Sequence, residues 1–381
     1  MNRAVGILLK LCLSLVFTAV LLIVIEVGSF FVRRVVSRLS QPMESVISES
    51  SVYKGQDWAD KFWKDASIAF SFNSEKYWPF VVWKMAPYKG ETIVIDANGL
   101  RRTLASHCDD PLAYTIWMFG GSTILGQGVP DWLTIPSQLA SLYEKSGRPA
   151  CVVNFGQLGW VNTQETIELA LQLKKQARKP NLVVFYDGIN DTGVALGSDQ
   201  VDTHLNFEII RRKFESDDQR TAGFRYLRES NTARLLIALG QRMAERRASE
   251  QPYAPPVDEA TWKNRLEVAY LSNQGFVSLL AQKDHFSYVY FWQPMIYTGQ
   301  KPLTAEEQSI VEKSKARYDP RGDTAKVYDF MRDQSRPYFF YIADIFSGVH
   351  ETLYIDPWHV GPQGNSLVAE RMFEILKQHG L

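Results

Sequence analysis

An excess of charge of either sign is missing from this sequence. Lys plus Arg number 42 and Asp plus Glu number 42 in 381 residues, a formal net charge of +0, so no overall field draws the chain to a nucleic acid. Cysteine is scarce. Three residues exclude a disulfide-dense scaffold, and because Cys12 lies in an apolar segment, only Cys108 and Cys151 form a plausible pair. Histidine is also scarce, with six in all, which leaves few candidates for a base that titrates near neutrality. Long apolar runs occur in one place: Val5 to Val32, whose centre from Leu11 to Ile25 carries no charge, approaches the ~20 residues that a helix needs to cross a bilayer.

What is present begins with that run. Arg3 precedes it, Lys10 and Glu26 lie towards its ends, and no A-x-A-like cleavage site follows Ile25. An uncleaved anchor over 1–35 is therefore expected ahead of a cleaved signal peptide. Arg3 and Lys10 on one flank face Arg33, Arg34 and Arg38 on the other, so flanking charge alone leaves the orientation open. Residues 36–110 read as a polar linker, Ser40 to Ser51, followed by a Trp- and Tyr-rich extension with a turn at Asp96 to Gly99. The main domain is expected over 111–381. There, apolar runs at Tyr114 to Phe119, Cys151 to Phe155, Leu182 to Tyr186, Phe286 to Trp292 and Tyr338 to Ala343 have the character of strands buried on both faces. Amphipathic stretches at Ile135 to Lys145, Thr163 to Lys175, Ala305 to Lys315 and Gln363 to Lys377 read as helices. The alternation predicts an α/β fold with a flavodoxin-like, doubly wound, parallel five-stranded sheet. Residues 194–284 break the rhythm and are expected to be a helical insertion, with helices over Glu208 to Phe214 and Thr232 to Arg247 and a loop at Pro252 to Pro256.

The first strand runs into Gly120-Gly121-Ser122, a turn that would expose a hydroxyl at the carboxyl edge of the sheet. A capping serine in a glycine-rich turn fits the same spacing. Ile124 stands where G-x-S-x-G needs its second glycine, which disfavours the α/β-hydrolase elbow. Asp131 stands where a dinucleotide fingerprint needs its third glycine. A serine needs a base, and the base needs an orienting acid. His359 alone has an aspartate three residues earlier, in Asp356-Pro357-Trp358-His359, and this pair lies in the loop leading to the last helix. Gly159, after the second strand, and Asn190, after the third, could join the Ser122 amide in donating to an oxyanion. Taken singly, each is a turn residue. Glu165 reads as a helix-start charge, and Trp160 and Trp292-Gln293-Pro294 lie where they could line a pocket.

Ser, Gly, Asn and Asp/His following successive strands in this order resemble the SGNH (GDSL-like) hydrolases. Gly120-Gly121-Ser122 is similar to their first block, with Gly121 in place of the common aspartate; Gly159, Gly188-Ile189-Asn190-Asp191 and Asp356 to His359 match the second, third and fifth blocks. The resemblance covers roughly 111–193 and 285–381. It implies Ser122 as nucleophile, His359 as general base and then acid, Asp356 as its orienting partner, and Ser122, Gly159 and Asn190 as the oxyanion hole. It implies no cofactor and no metal. Combined with the anchor, it raises the expectation of an esterase or O-acyltransferase acting on acylated carbohydrate, with O-acetyl groups foremost. That enzyme would be held at the membrane by its N-terminal helix, its catalytic domain extracytoplasmic (periplasmic), alongside envelope polysaccharide machinery. A lipid or lysophospholipid esterase and a non-catalytic scaffold are the competing expectations.

Overall fold

The structure is a computed structural model that describes residues 2–39, 49–71, 74–197, 257–319 and 321–381, together with 202–205, 207, 210–211, 230–233 and 235–236. It divides into two compact units, Met1–Met43 with Glu208–Tyr253, and Glu44–Phe207 with Ala254–Leu381.

In the first unit, one helix, α1, runs Asn2–Leu39. Its stretch Cys12–Val32 is long and apolar enough to cross a membrane, a property that anchors and signal sequences share. The Glu26 carboxylate on α1 accepts from the backbone N–H groups of Asn231 and Thr232 and from the Thr232 hydroxyl. The expected helices at Glu208 to Phe214 and Thr232 to Arg247 fall largely outside the described residues, and the Pro252 to Pro256 loop falls wholly outside them.

The second unit is built on a parallel sheet. Strands β5 (Tyr114–Gly120), β6 (Ala150–Asn154), β7 (Leu182–Asp187), β8 (Ser287–Trp292) and β9 (Phe339–Tyr341) lie in the order β6-β5-β7-β8-β9, every pairing parallel. This is the 2-1-3-4-5 order expected of a flavodoxin-like sheet. Alternation along the strands divides the core into two. Ile116, Met118, Val184, Val289 and Phe291 face one side and pack with Leu139, Ala140 and Tyr143 of α3 (Ile135–Lys145) and with Val368 and Met372 of the C-terminal helix Pro362–Gln378. Trp117, Phe119, Val183, Phe185 and Tyr290 face the other and pack with Leu169 and Leu173 of α4 (Asn162–Lys175). Period-2 burial on both faces accounts for the continuous apolar runs in the sequence.

Both ends of the expected insertion lie on this second face. Residues 194–197 finish a helix, α5 (Ile189–Gly197), and 259–284 form α6 (Glu259–Leu266), a π-turn at Glu267–Leu271 and α7 (Asn273–Asp284). Their Trp262, Leu266, Tyr270 and Val277 belong to the sheet's own core. A further helix, Asp323–Arg332, was not legible in the sequence; it contributes Val327, Tyr328 and Met331 to the same core. The aromatic extension holds a helix, Ala59–Ala69, and two hairpins, β1–β2 (Glu75–Trp78, Val82–Met85) and β3–β4 (Tyr88–Lys89, Val94–Ile95). Cys108 and Cys151 are joined by a disulfide that ties the segment before β5 to the edge strand β6.

Candidate active site

The carboxyl edge of the sheet gathers the site. At the end of β5 the chain turns through Gly120 and Gly121 into a single helical turn, Ser122–Leu125. A Cβ on Gly120 would come 2.7 Å from the Tyr186 carbonyl oxygen of β7, so a side chain would prevent this turn from lying against the sheet. Ser122 opens the turn, where backbone N–H groups have no partner within the helix. The turn is held from outside by Arg101 of the extension. Its guanidinium donates to the Leu125, Gly126 and Val129 carbonyls at 2.9, 2.5 and 2.6 Å and pairs with Asp131 at 2.9 Å, all buried. Burial, the largest influence, pulls the Arg101 pKa down, and Asp131 opposes that shift. Nothing in the local sequence marked Arg101 as the residue that braces the nucleophile turn.

The loop before the C-terminal helix carries the other two members. The Asp356 Oδ1 accepts from the backbone N–H groups of Trp358 and His359 at 3.0 and 2.8 Å, a local turn that also places Oδ2 2.6 Å from His359 Nδ1. An ionised carboxylate only accepts, so Nδ1 carries the proton, and Nε2 is left to accept from the Ser122 hydroxyl at 2.7 Å. Ser122 and His359 are 9% and 5% exposed, which shields the chain of hydrogen bonds from water. The three side chains expected to act together are in direct contact.

The second and third loops lie next to them. Asn190 Nδ2 donates to the Trp160 carbonyl at 2.7 Å and would lie 2.4 Å from a Cβ on Gly121. The amide has two N–H groups, so one bond fixes its orientation and leaves a second N–H to donate. Gly159 sits at φ +64°, a left-handed conformation that suits glycine, and is tied in through its neighbour Trp160. A Cβ there would come 3.7 Å from Leu205 and 4.0 Å from the Trp83 indole. The β1–β2 hairpin clamps the same loop: Trp83 Nε1 donates to the Leu158 carbonyl, Trp160 Nε1 donates to the Trp83 carbonyl, and Gln164 Nε2 donates to the Val81 carbonyl.

Three expectations change here. Trp160 and Trp292 are 1% and 0% exposed and belong to the core rather than to a pocket wall, because their rings pack behind the loops whose backbones face the site. Of that set, Pro294 lines a cavity beside His359, together with Thr123, Gln127 and Trp358. Glu165 lies in the first turn of α4 as expected but is fully buried. Burial, reinforced by Asp187 and Asp191 nearby, pushes the Glu165 carboxyl well above the usual carboxylate range. Burial likewise raises Asp187 to about 7, against the hydrogen bonds that favour its ionised form. Among the described residues, no group of three or more His, Cys, Asp or Glu is placed to hold a metal ion.

No family model and no curated protein matches the sequence. Solved structures do. AlinE4, an SGNH-hydrolase family esterase, is 25% identical over 22% of this chain, with a TM-score of 0.21, and only 44% of its own length is covered. A putative acylhydrolase from Bacteroides fragilis is 12% identical over 71% of this chain and 89% of its own, with a TM-score of 0.35. An acetylxylan esterase from Geobacillus stearothermophilus is 14% identical over 70% and 94%, with a TM-score of 0.32. In this chain, Ser122 follows β5, Gly159 follows β6, Asn190 follows β7 and the Asp356–His359 pair follows β9, all on a sheet ordered 2-1-3-4-5. This is the order expected from the sequence resemblance. At Gly121, which departs from that pattern, the Asn190 amide occupies the space that a side chain would need.

Proposed function

We propose that this protein is a serine esterase or acyltransferase that removes or transfers short O-acyl groups, acetyl foremost, on an extracytoplasmic carbohydrate close to the membrane. The observation that carries the reading is the unbroken hydrogen-bond chain from Ser122 through His359 to Asp356, with Asn190 alongside. His359 takes the Ser122 proton as the oxygen attacks the acyl carbon, and Asp356 stabilises the imidazolium that forms. The tetrahedral oxyanion is met by the free N–H of Asn190 and by the Ser122 and Gly159 amides. Protonated His359 then releases the sugar hydroxyl. Water or a second hydroxyl, deprotonated by His359, discharges the acyl-enzyme.

Further features support the finer parts of the reading. The cavity beside His359 is lined by Thr123, Gln127, Pro294 and Trp358. Trp358, partly exposed next to His359 and in edge contact with Tyr318 at 5.0 Å, presents an aromatic wall of the kind that packs on sugar rings. The Cys108–Cys151 bond suits an oxidising compartment, and α1 would hold the enzyme to the bilayer.

Purified protein should hydrolyse p-nitrophenyl acetate far faster than p-nitrophenyl palmitate, and Ser122→Ala should lower kcat by at least about 10³-fold without unfolding the protein. Equal rates on both esters would remove the short-acyl assignment. Undiminished turnover by the alanine variant would remove Ser122 as nucleophile. Mass spectrometry of envelope glycans from cells with and without the protein should show a change in O-acetyl content.

A further inference from the structure

The loops bearing Gly159 and Asn190 are joined by a buried polar cluster that takes no part in the triad. Asn162, just past Gly159, donates its backbone N–H to Asp191 Oδ1 at 3.1 Å and its Nδ2 to Asp187 Oδ2 at 3.0 Å. Asn162 is itself held at Oδ1 by Asn273 Nδ2 at 3.1 Å. These bonds supplement that between Asn190 and Trp160, so Asp187 and Asp191, which flank Asn190, fix one loop against the other. One turn beyond Asn162 on α4, the Glu165 carboxyl lies within hydrogen-bonding reach of Asp187. Glu165, Asp187 and Asp191 are 0%, 4% and 6% exposed.

Charge bookkeeping at this cluster does not close with three ionised carboxylates. Neither Glu165 oxygen meets a donor among the described residues. The groups facing it are Asp187 on β7, Asp191 on α5, the Tyr270 hydroxyl on the π-turn and the Tyr290 hydroxyl on β8. On helix α6, Arg265 donates to the Ala195 carbonyl at 3.0 Å. Two carboxyls in contact in a dry interior cannot both stay ionised, whereas a protonated carboxyl gains one O–H to donate.

We propose that Glu165 is held as the neutral acid with its O–H donated to Asp187, and that this carboxyl pair is the positioning device that locks the Gly159 and Asn190 loops at the spacing an oxyanion needs. The inference rests on the reading of those two residues as oxyanion donors. Glu165 touches no reacting atom; it acts through Asp187 and Asn162. Its proton is retained by the folded protein and released by the unfolded chain once pH exceeds the ordinary carboxylate range. Stability therefore falls as pH rises out of that range. Activity is lost at the higher pH where the folded protein itself gives up the proton and the carboxylates repel.

The test compares wild type, Glu165→Gln and Glu165→Ala by the pH dependence of kcat, of KM and of Tm. Wild type should show an alkaline limb from the shared proton in kcat. In Glu165→Gln, whose amide N–H cannot ionise, the alkaline limb should disappear and Tm should fall less with rising pH. Glu165→Ala should lower kcat by about 10- to 100-fold at every pH, as a displaced donor does, with KM nearly unchanged. An alkaline limb and a Tm profile identical in wild type and Glu165→Gln would overturn the proposal. Activity that survives Ser122→Ala would instead overturn the catalytic reading, and the Tm profiles would still decide whether Glu165 carries the proton.

Discussion

At Gly121 the constraint is space rather than backbone conformation. Its φ of −78° is open to any residue, yet a Cβ would press on the Asn190 amide at 2.4 Å. The glycine that replaces the common aspartate of the SGNH pattern is thereby linked to the third block of the same site. Asn190→Ala is expected to lower kcat by about 10²- to 10³-fold with little change in KM, because its free N–H is used chiefly in the transition state. Steady-state kinetics on p-nitrophenyl acetate would measure this, and an unchanged kcat would reduce Asn190 to a turn residue. Ser122, Asp356, His359 and Asn190 could be singled out from the sequence because their order after successive strands resembles that of the SGNH hydrolases, whereas each taken singly fits a turn or capping residue. Arg101 and Glu165 could not, since what sets each apart is a contact across the fold: Arg101 caps a turn more than twenty residues away, and Glu165 meets Asp187 at the end of β7.

At the scale of elements, the edge strand β6 receives two restraints from the segment preceding β5. Cys151 is bonded to Cys108, and the Ser106 hydroxyl both donates to the Val152 carbonyl and accepts from the Val152 N–H at 2.9 and 2.8 Å. Together they cover an edge that would otherwise expose free backbone groups. Replacing both cysteines by serine should cost about 2–4 kcal/mol and lower Tm by roughly 5 °C or more, read by thermal unfolding with and without reductant. Wild type treated with reductant should match the variant; an unshifted Tm would mean that the bond is absent or idle. Strand and helix positions were readable to within a residue or two where periodicity was strong, as at Ile135–Lys145. The last strand shortened to Phe339–Tyr341, the residues in register with Tyr290 to Trp292 of β8. Residues 259–284 resembled inserted helices because their charged faces dominate the pattern; the few large apolar residues, Trp262, Leu266 and Tyr270, are what dock them on the sheet.

For the whole molecule, the open question of topology has a direct experiment. A reporter fused to the carboxyl terminus that folds only outside the cytoplasm should be active, and a fluorescent protein that matures only inside should stay dark; the reverse pair would overturn the exported placement. The sequence alone determined a single run of bilayer length, a chain that alternates between two periodicities, and an order of Ser, Gly, Asn and Asp/His along it. The first two are set by short-range hydrophobic spacing, and the third is an order read along the chain, which requires no knowledge of contacts. Only the tertiary structure decided that Ser122 and His359, 237 residues apart, lie within hydrogen-bonding distance, that an aromatic hairpin clamps the Gly159 loop, and that three buried acids lie together beside Asn190. Contacts of that kind depend on which helix face is buried against which strand, and burial is what converts an ordinary carboxylate into one that keeps its proton.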